Sequence, residues 1–214
     1  MSTPGGSARS VKIGSDERTG WSSDRPRTSG RPERPADLST RCRLLQPTDR
    51  MRYSPGSLVM VISGAEEEAD RFAQRVFDER GAVLSTEKVR GLLAGKVAEE
   101  ELPAKAAQLL TAAAAKRLQA GDSTVVAAKL LLPEQRDPLV RLASSLRRPR
   151  HVILVEGPRE QTDEGDRPAL NELRRALDAG ELGGEGFQTA LRLGGGTVAE
   201  LKKIVFRPPP RDDD

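Results

Sequence analysis

The sequence is poor in the residues that most often carry chemistry: one cysteine, one histidine, one tryptophan and one tyrosine in 214 residues, with aromatics at 3%. A single cysteine, Cys42, excludes an intramolecular disulfide. A single histidine, His151, works against a His/Cys metal centre or a Ser-His-Asp triad, so no metal site is expected. No apolar run approaches the ~18 residues of a membrane span, and the N-terminus lacks the apolar segment of a secretory signal. The expectation is a soluble, cytoplasmic chain. With so few aromatics, its core has to be built from Ala, Val, Leu and Ile.

Charge is plentiful but uneven. Residues 1–50 hold ten Lys/Arg against six Asp/Glu, and the remaining 25 basic and 26 acidic residues leave the rest at −1. The basic pI therefore belongs to the N-terminal arm. Residues 1–52 are rich in Ser, Pro, Gly and Arg with almost no apolar periodicity, and composition predicts disorder there. Two readings of the arm stand side by side. It is an Arg-rich tether with weak, salt-sensitive affinity for nucleic acid, on which only Trp21 could stack a base. Alternatively it is sequence upstream of a domain that starts at Met51, in "MRYSPGSLVMVISG".

From Leu58 onward, strand and helix patterns alternate about five times over a body of residues 53–207, followed by a charged tail, 208–214. The strands are "LVMVIS", "GAVLST", "STVVAA", "HVILVE" and "GFQTALRL". Between them lie "AEEEADRFAQRVFDER", with apolar residues at helical spacing, the short "EKVRGLLAG", and the long helix from Leu102 that Pro103 opens and Gly121 closes. "RDPLVRLASSLRR" and "PALNELRRALDAGEL" follow as further helices. "TVAELKKI" closes the pattern as a short helix capped by Thr197, and "VFRPPPRDDD" ends the chain as an edge strand and tail. Such alternation predicts a three-layer α/β fold on a mostly parallel, five-stranded sheet. Ligands of such sheets sit at the carboxyl ends of the strands. The candidate site is therefore the loops after Ser63, Thr86, Ala128 and Glu156.

In order and spacing, these segments resemble the P-loop kinase domain of bacterial polynucleotide kinases and the related small nucleotide and zeta-toxin-like kinases. The resemblance runs from "SLVMVIS" and its glycine, through "LSTEKVRGLL" and "AAAAKRLQAGDSTVVAAKLLLPEQRDPLVRLA", to "LNELRRALDAGELGGEGFQTALRL". It implies a P-loop NTPase-like fold that binds ATP and magnesium. It also implies a phosphate loop, G-x-x-x-x-G-K-[ST], beginning at Gly64, which places Ala69 at the second glycine, Asp70 at the lysine and Arg71 at the hydroxyl. Shifting by one residue puts Glu68 and Ala69 at the glycine and lysine, and no register restores the lysine. The resemblance further places Glu87 at the catalytic base and Arg90 at a substrate-binding arginine. Ala127 and Lys129 fall at polar substrate and metal positions, and Arg159 and Arg167 in a shortened lid.

Glu66, Glu67 and Glu68 stand where a phosphate would go. Carboxylates near the positive end of a helix stabilise it by ~0.3–1 kcal/mol each. Toward ATP the same charges are repulsive, at about 4 kcal/mol for unit charges 4 Å apart near a protein surface. The expectation is a degenerate kinase-like domain without phosphoryl transfer and without a cofactor. It would serve as a binding or regulatory partner of an active kinase, of an assembly, or of nucleic acid through the arm. The alternatives are a divergent nucleotide or polynucleotide 5′-kinase, with Glu87 as base and Arg71 or Lys129 on phosphate, or a structural component using the same fold.

Overall fold

The structure is a computed structural model and describes residues 42–46 and 48–208, all within one compact unit. Most of the arm with Trp21, and the tail from residue 209, lie outside the described residues.

In chain order the strands are β1 (Arg43–Leu44), β2 (Arg50–Tyr53), β3 (Leu58–Ile62), β4 (Val83–Ser85), β5 (Thr124–Ala128), β6 (Arg150–Val155), β7 (Thr189–Leu193) and β8 (Lys203–Phe206). The helices are α1 (Glu66–Val76), α2 (Thr86–Leu93), α3 (Leu102–Ala120), α4 (Pro133–Ser145), α5 (Arg167–Asp178), α6 (Leu182–Glu185) and α7 (Gly196–Glu200). Six strands form one parallel sheet in the order β1-β7-β6-β3-β5-β4. The fold is α/β with a parallel sheet, as the alternation predicts, and with one strand more than the five expected.

The central strand β3 is buried along its whole length, because it is covered on both faces. Leu58, Met60 and Ile62 face α3, α4 and α5 through Leu110, Leu118, Leu139 and Leu173. Val59 and Val61 face α1 through Ala69, Phe72, Ala73 and Val76. On the α1 side lies a second, two-stranded sheet, β2 paired in parallel with β8. Met51, Tyr53, Ile204 and Phe206 point from it into the core.

Two expectations about the ends of the body are corrected. Residues 42–46 and 48–52, which composition places in a disordered arm, contain β1 and the first three residues of β2, with Cys42 and Met51 buried. The closing helix stops at Glu200, and Lys203–Phe206 form strand β8. Thr197 does not cap that helix. Its hydroxyl donates to the Gly194 carbonyl at 2.7 Å and accepts from the Gly194 N–H at 3.0 Å, which closes the glycine turn.

Candidate functional site

The order in which strands are added reverses at β3, with β5 on one side and β6 on the other, and such a switch opens a crevice at the strands' carboxyl ends. A cavity of about 550 Å³ lies there. Gly64, Glu66, Glu67 and Arg71 line it from the β3–α1 turn and the first helical turns, Glu87 and Arg90 from α2, Lys129 from the loop after β5, and Gln161 and Asp163 from the segment after β6. The loops that the sequence pattern brings together do meet, and Gly64, Arg71, Glu87, Arg90 and Lys129 share one cavity.

The turn itself is not a phosphate nest. Only Ser63, Gly64 and Ala65 separate β3 from α1, and the Glu68 and Ala69 N–H groups already donate to the Ala65 carbonyl at 3.1 and 3.4 Å. The helix therefore begins inside the stretch that the motif register assigns to the loop. Ala69 faces the core at 0% exposure, Asp70 accepts a hydrogen bond from Gln74 at 3.3 Å, and Arg71 sits in the second turn. The cause is local. No glycine follows Gly64 before Gly81, Ala and Glu favour helix, and three carboxylates occupy the positive end of the helix dipole.

Gly64 is a glycine for a different reason. A Cβ there would lie 2.4 Å from Thr162 Oγ1 and 2.9 Å from Thr162 Cγ2. Thr162 is itself buried, so the segment after β6 packs directly against Gly64 in the β3–α1 turn. Two short 3-10 turns, Arg159–Gln161 and Glu164–Asp166, keep this segment compact. Arg167 pairs with Glu164 at 3.2 Å, and the Arg159 side chain lies outside the description.

The cations of the cavity are each matched by a carboxylate. Arg90 donates to Glu66 at 2.6 Å, Arg71 pairs with Glu68, and Lys129 pairs with Asp163 at 2.8 Å and with Asp166. Burial alone would lower the Lys129 ammonium, but hydrogen bonds and charge from Asp163 and Asp166 reverse this and hold it above its ordinary value. The same contact holds the Asp163 carboxyl below the usual range. Glu67 and Glu87 have no partner among the described residues. Ser85 sets Glu87 and Arg90 in place, because its hydroxyl caps α2 by accepting from the Lys88 N–H at 3.2 Å. No group of acidic, His or Cys side chains suited to a metal occurs among the described residues.

Arg136 was not singled out from the sequence. It is 2% exposed, grips Glu185 of α6 through two bonds of 2.8 and 2.6 Å, and donates to the Leu130 and Leu131 carbonyls at 2.9 and 2.7 Å. It thereby shapes the loop that carries Lys129. A signal was available, since Arg136, Leu139, Val140 and Ala143 follow the spacing of the buried helix face. The loop after β6 is similarly occupied, with Glu156 held by Arg174 at 2.7 Å and by Arg192 at 2.9 Å. A scan against protein-family models and a search of curated proteins both return no match to the chain.

Proposed function

We propose that the chain is a degenerate kinase-like domain that works as a binding or regulatory protein and does not transfer phosphoryl groups. One observation carries this reading: each cation that lines the crevice, Arg71, Arg90 and Lys129, is already matched by a carboxylate of the same chain. A nucleotide triphosphate would have to displace Glu66, Glu68 and Asp163 and then sit beside them. The parallel α/β architecture is compatible with a P-loop-like fold, and the three-residue turn after β3 removes the backbone cradle such folds use. Fold alone assigns no activity, so the reading rests on the site.

Thermal unfolding with and without Mg-ATP tests it. A ligand at a hundred times its Kd adds about 2.7 kcal/mol of stability. The expected outcome is no shift at millimolar Mg-ATP, and a clear rise in Tm would overturn the proposal. That result would favour a divergent nucleotide or polynucleotide 5′-kinase. The exposed Glu87 carboxylate on the cavity wall, without a partner among the described residues, supports this second reading, since a carboxylate there could accept a proton from a hydroxyl.

A further inference from the structure

Outside the crevice, cations segregate onto one face of the β2–β8 ribbon. Arg50 lies opposite Lys203 and Arg52 opposite Val205, and the Arg207 N–H continues the ladder to the Tyr53 carbonyl at 2.9 Å. Alternation along the strands sends Met51, Tyr53, Ile204 and Phe206 inward, so Arg50, Arg52, Lys203 and Arg207 all share the outer face. They line a shallow groove of about 270 Å³ with Val205 at its middle. Lys203 pairs with Asp78 at 2.9 Å, while Arg50, Arg52 and Arg207 have no acidic partner among the described residues. Asp49 and Asp78 lie at the end where both strands begin, leaving the Arg52–Arg207 end without a carboxylate in the ladder among the described residues.

We propose that this ribbon face binds the sugar-phosphate backbone of a single-stranded nucleic acid, without reading sequence. Successive outward residues on a strand are about 6.6–6.8 Å apart, a spacing that suits successive phosphates of an extended polynucleotide better than one compact anion. Charged side chains also protect an exposed sheet edge from pairing with another chain, but either sign serves that purpose and only cations stand here. They do so in a body whose charges otherwise nearly cancel. Of the groove's lining only Met51 and Val205 are apolar, and Met51 is buried in the core beneath, so little apolar surface is left to insert into a bilayer, which favours a phosphate polymer over a lipid surface. It also follows directly in sequence from the Arg-rich first 50 residues.

The test uses the full chain and a fluorescein-labelled oligothymidylate over a salt series. Each phosphate contact to a single strand contributes about 0.7 to the slope of log affinity against log salt. Arg50→Gln/Arg52→Gln is expected to weaken binding about tenfold at low salt and to flatten the slope by about 1.4. Val205→Lys is expected to tighten binding and steepen the slope by about 0.7. Arg175→Gln, on an arginine already held by Glu172 and Glu181, serves as the control and is expected to change neither. Oligonucleotide binding that ignores the ribbon variants would place the contact in the first 41 residues and overturn the proposal. So would no binding by the full chain, or ribbon-dependent binding to phosphatidylserine vesicles alone. Should the double variant lose its fold, Val205→Lys decides, and an unchanged affinity there counts against the ribbon.

Discussion

Arg90 of α2 reaches across to the first turn of α1 and donates to Glu66 at 2.6 Å, with the glutamate only 18% exposed. On the kinase-like reading proposed above, this contact puts a carboxylate where phosphate would sit. Removing the carboxylates while keeping the shape should therefore return the cations to a ligand. Glu66→Gln/Glu68→Gln is expected to acquire a thermal shift with inorganic pyrophosphate that the unmodified chain lacks. At ten times Kd the gain is about 1.4 kcal/mol, or roughly 3–6 °C for a domain of this size. No shift in the double variant would mean that the closed turn, rather than the glutamates, excludes the anion.

The closed turn has its own test. Gly64→Ala drives a methyl group into Thr162, and overpacking of this kind costs about 1–3 kcal/mol. Thr162→Ala removes both of the nearest clashing atoms and leaves Leu170 Cδ2, at 3.2 Å, free to turn away. The double variant Gly64→Ala/Thr162→Ala should thus recover most of the loss. Urea unfolding of the four proteins measures the coupling, expected at about 1 kcal/mol or more. Additive losses would show that Gly64 is required by its backbone instead.

The five core strands can be read from the sequence because buried parallel strands are continuous apolar runs, as in "LVMVI" and "HVILV". Strand β2 is different. Its "RMRY" carries the alternation of a half-buried strand, exposed then buried, but composition averages it into an Arg-rich segment. Topology likewise foretells which loops meet. The pairings within the site depend on tertiary geometry: Glu66 and Arg90 are 24 residues apart in sequence, and Lys129 and Asp163 are 34 apart. No local pattern announces such partners, and a missing lysine is easier to see than a neutralised arginine.

The position of β1 bears on where the folded unit begins. Cys42 is 6% exposed, Leu45 packs on the core, and the Leu45 N–H donates to the Ala190 carbonyl at 2.9 Å. A chain starting at Met51 loses all three, together with the Arg50 end of β2. Each buried apolar side chain contributes about 1.5–3 kcal/mol. The Met51 version is therefore expected to melt several degrees below one starting at Cys42, at about 2–4 °C per kcal/mol. Equal Tm values would return residues 42–50 to the arm.

Acid sensitivity should trace in part to His151. Its ring stacks on Tyr53 at 4.3 Å between centroids, and Nδ1 lies 2.7 Å from Thr189 Oγ1. Burial, with the Arg150 charge beside it, pushes its pKa down to about 4. The unfolded chain, near 6.5, then binds the proton more readily than the folded one between those values. Stability from this group is complete above pH 6.5 and falls as pH drops toward 4, by about 3 kcal/mol at 1.36 kcal/mol per pH unit. His151→Phe keeps the stack on Tyr53, removes the titration and costs about 1 kcal/mol at pH 7 for the lost Thr189 contact. Urea unfolding at pH steps from 7 to 4 should show the variant losing less stability than the parent, so that the two curves converge or cross. Parallel curves would mean that His151 takes up its proton without leaving the folded state, and that the acid loss belongs to paired carboxylates such as Asp163 and Glu172, whose pKa values are lowered by Lys129 and Arg175.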